Sequence, residues 1–294
     1  MLSPQPVRSG SIAANITSGL GAERNVNPQF TKTKVLITVM TYPHPSESHQ
    51  ELVCTAGITE GGEWVRLYPI DYRYRPQNQQ FRKYQWIEIG LADHGAGNDD
   101  RRESRRPDLE SIRILAEPIS SEHNWKARRE IIDPLPHRTK LELEALYESQ
   151  KVSLGIVRPT EVIDLKIESV DRDWKPQWQD ALNQFNLFSG QPKHLEKLPY
   201  KFSYLFRCAD SGEKVHSAMI EDWELGVLYR KEVERLGDEQ AAVASVRKKF
   251  YDEICHSSRD TRFFMGTVFP YNTWVVIGIF WPPKELQSSL FGGG

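Results

Sequence analysis

The sequence predicts a mainly β protein with α insertions, an α+β chain built as two small barrels with a helical insert and a C-terminal helical pair. Three observations carry that expectation. Short β-branched or alternating runs recur along the chain in two sets, parted by a helical stretch. Regular strand–helix alternation, the mark of a doubly wound sheet, is missing. Hydrophobic residues make up 39% of the 294 residues, enough for two cores of ordinary size.

Residues 1–30 are rich in Ser, Gly, Pro and Asn and read as a flexible tail. The first barrel with its helical insert is then expected over 31–150, and the second over 151–294. KVLITVMTY (34–42) reads as a buried strand, ELVCTAGIT (51–59) as a second and EWVRLYPI (63–70) as a third, with Gly61 and Gly62 turning the chain between them. QWIEIGLA (85–92) alternates and makes a fourth; SIRILAEPI (111–119) makes a fifth. The polar stretch 94–108 between them reads as a surface loop. Helices are expected near 122–132 and from about Thr139 to Gln150, where Leu143, Leu146 and Tyr147 share a face.

The second set opens with SLGIVRP (153–159) and EVIDLKIESV (161–170). Residues 171–199 read as an irregular linker pinned by Trp174, Trp178, Phe185 and Phe188, and YKFSYLFRCAD (200–210) alternates as a strand. A helix from about Ser217 to Leu236 ends at Gly237; another, from about Asp238 to Cys255, buries Val243, Val246, Phe250 and Ile254. RFFMGTVF (262–269) and TWVVIGIFW (273–281) close the set before Pro282 and Pro283.

Composition narrows the function. Lys plus Arg is 38 against 40 for Asp plus Glu, a formal charge of −2, so any basic partner surface must be local. The three cysteines stand far apart, which argues against a disulfide framework and for a reduced, cytoplasmic setting. No run is long and apolar enough to cross a membrane, and no charged, apolar leader opens the chain. Phosphate-loop, zinc-protease, hydrolase-elbow and calcium-loop motifs do not occur, and no cofactor is expected.

One stretch gathers cations and aromatics. Residues 64–86 interleave Arg66, Arg73, Arg75, Arg82 and Lys83 with Trp64, Tyr68, Tyr72, Tyr74, Phe81, Tyr84 and Trp86, with Asp71 the single acid. Aromatic faces stack on unpaired bases while Arg and Lys neutralise phosphates, so this pattern points to nucleic acid, with a single strand favoured. The alternative is ordinary packing, with the tryptophans in the core and arginine heads covering a strand face. Strand alternation sharpens the choice: Val65 and Leu67 should face the core, and Trp64, Arg66 and Tyr68 the outside, with Arg66 and Tyr68 at least partly exposed. Arg101, Arg102, Arg105 and Arg106 in the polar loop form a second candidate grip on a phosphate backbone, diluted by Asp99, Asp100, Glu103 and Asp108.

The segment CTAGI (54–58), the glycine turn and EWVRLYPI (63–70) resemble the opening of the bacterial dual OB-containing domain family, through Cys54, Ala56, Gly57, Trp64 and Arg66. That resemblance implies two OB-like barrels and a nucleic-acid-binding accessory role beside a larger enzyme in genome defence or repair. It implies no catalytic residues.

Two other classes stand as alternatives. CADSGEKVHSAMIEDWE (208–224) places Asp210, His216, Asp222 and Glu224 near a strand–helix junction, a set that suits a metal-dependent nuclease or hydrolase if they converge. His216 and Asp222 are six residues apart, about 240° around a helix, which works against one ligand face. The helical pair 217–255 suits an assembly subunit without nucleic-acid contact, with Tyr229 and Tyr251 as anchors.

Overall fold

The structure, a computed structural model, describes residues 29–45, 51–95, 99–179, 195–268 and 272–285. The tail expected over 1–30 therefore lies, up to residue 28, outside the described residues, as do Phe185 and Phe188.

The chain is mainly β with α insertions. Its first half is one ladder. β1 (Phe30–Met40) is followed by a small hairpin, β2 (His44–Pro45) and β3 (Glu51–Leu52), then by β4 (Thr55–Thr59), β5 (Trp64–Leu67), β6 (Gln85–Ala92), β7 (Ser104–Arg105) and β8 (Pro107–Ile114). β1 is the pivot, antiparallel to β4 on one side and to β6 on the other. β5 continues outward from β4 and runs parallel to β7; β8 lies antiparallel to β6. The ladder order is thus β7-β5-β4-β1-β6-β8, and its two edge strands are separated in sequence by Arg106 alone. The ring closes there: the Tyr68 N–H donates to the Arg105 carbonyl at 3.3 Å, and the Ala92 N–H to the Arg106 carbonyl at 2.9 Å. A five-stranded barrel results, its fifth strand broken at one residue.

Gly57 shows why the CTAGI segment reads as it does. A Cβ there would lie 2.3 Å from the Leu36 carbonyl oxygen on β1 and 2.6 Å from a Val35 methyl carbon. Only glycine lets β4 approach β1 this closely beside the bulge at Ile37/Val39.

The second half repeats the topology. β9 (His137–Arg138) runs parallel to β10 (Leu154–Val157), and β11 (Glu161–Ser169) follows after a three-residue break. β12 (Tyr200–Arg207) and β13 (His216–Met219) extend the sheet from β11, while β14 (Arg262–Val268) pairs with β10 and with β15 (Thr273–Phe280). A parallel bridge, Ile220 to Val276, joins the end of β13 to β15, and the Glu221 N–H donates to the Val276 carbonyl at 2.8 Å. Here the broken strand is the first, at Arg158, Pro159 and Thr160, and proline explains the break.

Helices fill the insertions. α1 (Glu122–Ile132) links the barrels, and its first turn contains the left-handed residues His123, Asn124 and Trp125. α2 (Lys140–Gln150) starts at a capping box between Thr139 and Glu142. α3 (Trp223–Leu236) ends at left-handed Gly237, and α4 (Glu239–Arg247) runs into a π-helical turn, Lys248–Glu253. The helix expected from Ser217 begins six residues later, because β13 occupies His216–Met219 and the N-cap is Asp222, which accepts from the Glu224 N–H. The fifth strand also starts earlier than the apolar pattern suggests, at Pro107.

Three cores hold this together. One fills the first barrel with residues such as Val35, Val65, Leu67 and Phe81. One fills the second with Phe202, Tyr204, Phe206, Val246 and Phe263. The third joins the two: Val39, Ala56 and Ile58 of the first barrel pack with Leu154, Ile156, Phe264, Val275 and Ile277 of the second. The outer face of β4 and β5 is thereby covered by the second barrel.

Candidate nucleic-acid interface

That covering decides the fate of the 64–86 run. Strand alternation holds, with Val65 and Leu67 in the first core, but the opposite face is closed by the second barrel. Trp64 meets Phe264 edge-on with ring centroids 5.6 Å apart. Arg66, expected at the surface, is only 2% exposed. Its Nη2 donates to the Ser153 carbonyl at 3.0 Å and to the Ser153 hydroxyl at 3.3 Å, and that hydroxyl donates to Glu103 at 2.7 Å. Burial, then the neighbouring Arg101 charge, pushes the guanidinium down to about 10. Arg66 therefore pins the two barrels together and does not face a ligand. Among the described residues no carboxylate pairs with it directly; Ser153 links it to Glu103.

The remaining cations of the run are mostly taken. Arg73 donates to the buried Glu51 at 2.9 Å, and Arg75 to Glu110 at 2.7 Å and Asp71 at 3.0 Å. Arg82 reaches Glu117 at 2.6 Å across the surface. Lys83, also expected to bind, is enclosed: its ammonium donates to both Asp222 oxygens at 2.9 and 2.8 Å and to Glu224 at 3.1 Å. Burial opposes that charge, but the two carboxylates outweigh it and hold the ammonium well above its ordinary value. Tyr84 is buried beneath Arg128, whose guanidinium carbon sits 3.9 Å from the ring centroid. Tyr74 is half-buried, and Tyr68 alone among the expected aromatics is open, at 38%.

The loop after β6 divides by direction. Arg101, expected to grip a phosphate backbone, instead turns inward: it is clamped by Asp99 at 2.6 and 2.8 Å, and its Nη1 donates to the Thr267 carbonyl of the second barrel at 3.0 Å. Ser104 donates to the same Asp99 at 2.7 Å, and Glu103 accepts both the N–H and the hydroxyl of Ser153. The loop's other arginines are not clamped by acids among the described residues. Arg102 is exposed and donates to the Gln150 amide oxygen; Arg105 donates to the Arg102 and Ser104 carbonyls; Arg106 is exposed. Lys151, the left-handed C-cap of α2, is exposed beside them, its carbonyl accepting from the Arg102 N–H at 3.0 Å. None of these four cations is ion-paired among the described residues. Tyr68 joins them through its backbone bond to Arg105. The sequence flagged three of these arginines and Tyr68; Lys151 carried no signal, because it comes from a helix end in the other half of the chain.

The metal candidates do not converge. Asp222 and Glu224 hold Lys83, while buried His216 shares a 2.7 Å hydrogen bond with the Ser211 hydroxyl, and Asp210 accepts from Thr139. Among the described residues no three His, Cys, Asp or Glu side chains gather to hold a metal ion. The expected anchors of a docking helix pair are also occupied: Tyr229 is buried, and the Tyr251 hydroxyl donates to the Ile163 carbonyl.

Residues 31–134 match the family described as Domain of unknown function (DUF8758), and residues 136–293, more than half of the chain, match Domain of unknown function (DUF8757). The chain belongs to the DUF8757 family. The boundary between the two matches falls just after α1. No curated protein matches the sequence. Among solved structures, a murine DNA binding protein bound with double-stranded DNA is 10% identical, with 87% of this chain and 97% of that chain covered and a TM-score of 0.28. A Replication Protein A heterotrimer bound to single-stranded DNA is 13% identical, covering 88% of this DUF8757 chain and 66% of that chain, with a TM-score of 0.26. Both likenesses are distant. No helix among the described residues is long and apolar enough to cross a membrane.

Proposed function

We propose that this DUF8757 protein is a nucleic-acid-binding accessory protein that grips a strand at the closure of its first barrel. One observation carries the reading: Arg102, Arg105, Arg106 and Lys151 have no carboxylate partner among the described residues, on a segment whose Arg105 carbonyl accepts from the N–H of the exposed Tyr68 and whose Arg102 N–H donates to the Lys151 carbonyl. Cations left without acids gain most from phosphate, and an exposed ring beside them offers a base a stacking face. Inward-turned Arg101 and Glu103 hold the loop in place, so little ordering is lost on binding. The strand face and the loop before the last strand are where five-stranded barrels of this kind usually receive oligonucleotides. Here the face of β4 and β5 is closed by the second barrel, which leaves the loop and its rim.

Single strands are favoured over duplexes because the ring has to reach a base face. The resemblance to bacterial dual OB-containing proteins extends the proposal to a setting, service to a larger enzyme in genome defence or repair within the cytoplasm.

Fluorescence anisotropy with labelled single-stranded and duplex oligonucleotides tests the reading. Binding should weaken with salt at a log–log slope of about −3 for four phosphate contacts on a single strand. No binding to DNA or RNA at low salt would sink it. Tyr68→Ala should weaken single-strand binding more than duplex binding.

A further inference from the structure

A second surface of the same chemical kind lies on the other barrel, around Trp281. This half-buried ring has the Lys249 ammonium 4.6 Å and the Arg259 guanidinium carbon 5.0 Å from its centroid. Trp125 approaches it edge-on at 5.4 Å, and Arg128 lies 4.9 Å over the Trp125 ring. The backbone around Trp281 is fastened from both sides. The Asp260 N–H donates to the Pro282 carbonyl at 2.9 Å, the Lys284 N–H to the Ser258 carbonyl at 2.7 Å, and Arg129 donates to the Pro283 carbonyl. The ring is thus presented by a rigid strip that ends β15.

The charges around this strip sort into two groups. Arg158 and Arg262 are matched by Asp260, and Arg262 by Asp133 as well. Those arginines brace the fold. Over Trp281, by contrast, cations outnumber acids: Glu253 pairs with Lys249 at 2.8 Å and its carboxylate also meets the charges of Lys248 and Arg259, neither of which has an ion pair of its own among the described residues. A cation resting on an indole face is a weak, mobile partner for it. A phosphate draws such a cation off the ring, and the face it leaves accepts a base.

We infer that Trp281, with Lys249 and Arg259, forms a second contact for single-stranded nucleic acid, in which the two cations move to phosphates and a base stacks on the indole. The inference rests on the nucleic-acid reading of the protein and adds the place where the second barrel takes part. It predicts that long oligonucleotides bind more tightly than the first-barrel site alone allows, since a tethered second contact forms at high effective concentration.

The test uses the full chain and single strands carrying 4-thiothymidine, irradiated and mapped by mass spectrometry. The expected result is crosslinks in the peptide containing Trp281 as well as in that containing Tyr68. In the double variant Lys249→Glu/Arg259→Glu, the Trp281 crosslinks should vanish while those at Tyr68 persist. Affinity for a long strand should drop about tenfold, with an unchanged circular dichroism melt to show that the variant is folded. Crosslinks confined to the Tyr68 peptide, with the variant binding within about twofold of wild type, overturn the inference and leave the first-barrel reading intact. Crosslinks at Trp281 without any at Tyr68 uphold the inference and overturn the first-barrel site. No crosslink and no binding overturn both.

Discussion

The run 64–86 and the loop 99–106 are both rich in arginine, yet most of their cations end in opposite states. In the run, Glu51, Glu110, Glu117, Asp222 and Glu224 arrive from elsewhere in the chain and occupy Arg73, Arg75, Arg82 and Lys83. The loop looked diluted, with acids among its arginines, but those acids are spent inward: Asp99 on Arg101 and Ser104, Glu103 on Ser153. Arg102, Arg105 and Arg106 are left over. Local charge density is therefore a poor guide to available charge. What counts is where each acid's hydrogen bonds go once the two barrels meet.

Removing a cation from the spent group should have the largest effect, and it should fall on stability. Lys83→Met removes the one ion-pair partner that the buried Asp222 carboxylate, 1% exposed in its side chain, has among the described residues, and leaves it beside Glu224. Breaking a buried pair on one side costs about 3–5 kcal/mol, which in a chain of this size lowers the melting temperature by on the order of 10 °C. Scanning calorimetry checks it. An unchanged melt would mean that Lys83 is available after all, and the comparison between the two regions would break.

Removing the leftover group should change binding and spare the fold. Arg105→Glu with Arg106→Glu should weaken single-strand binding by about 30-fold, or roughly 2 kcal/mol, and reduce the salt slope by about 1.4, near 0.7 for each lost phosphate contact. Neither side chain has a carboxylate partner among the described residues, and the fold loses only the two hydrogen bonds from Arg105 to loop carbonyls, so the melt should move by no more than a few degrees. Anisotropy titrations over a salt series read both numbers at once. An unchanged slope would remove these arginines from the interface.

Much of this fold was legible in the sequence, and the reasons are local. QWIEIGLA matches β6 end to end, and 122–132 matches α1, because alternation and helical spacing are properties of neighbouring residues. β13 was not legible: His216–Met219 is too short to show a period, and it flows into a helix. The site was half legible for a different reason. Alternation correctly sent Val65 and Leu67 inward, but whether Arg66 meets water or Ser153 depends on a second barrel whose contact lies 87 residues away. Tyr84 and Arg101 fail as binding residues for the same cause. Arg102, Arg105 and Arg106 lie in and beside the short strand where the ring closes and have no carboxylate partner among the described residues, which is why the proposal rests on them.

The anchor under the loop can be loosened with acid. Burial alone would raise the Asp99 carboxyl, but hydrogen bonds from Arg101 and Ser104 outweigh it and lower the group from 3.8 to about 2. A depressed carboxyl stabilises the fold fully above its unfolded value, so this contribution is present above about pH 4 and is lost as pH falls toward about 2. Because the Asp99 side chain is 23% exposed, solvent screening holds this contribution below about 2 kcal/mol. Urea midpoints measured from pH 5 down to 2 should therefore fall less steeply in Asp99→Asn than in wild type. Superimposable profiles would show that Asp99 does not hold Arg101, and the inward half of the loop would lose its role.

The smallest effect belongs to Arg82, which separates an exposed cation from an available one. Its side chain is 62% exposed, so by accessibility it is a better ligand for phosphate than the half-buried Arg105, yet Glu117 sits 2.6 Å away and is itself 88% exposed. Such surface pairs are worth about 0–1 kcal/mol, so Arg82→Ala should shift stability by less than about 0.5 kcal/mol. Binding is the sharper readout. A phosphate approaching Arg82 also meets the Glu117 carboxylate, and the attraction and repulsion nearly cancel at that separation. Arg82→Ala should therefore leave affinity within about twofold of wild type, while Glu117→Gln, which frees the guanidinium, should tighten binding more than Arg82→Ala weakens it. If Arg82→Ala instead cost as much as losing Arg106, exposure and not acid pairing would be what makes a cation available.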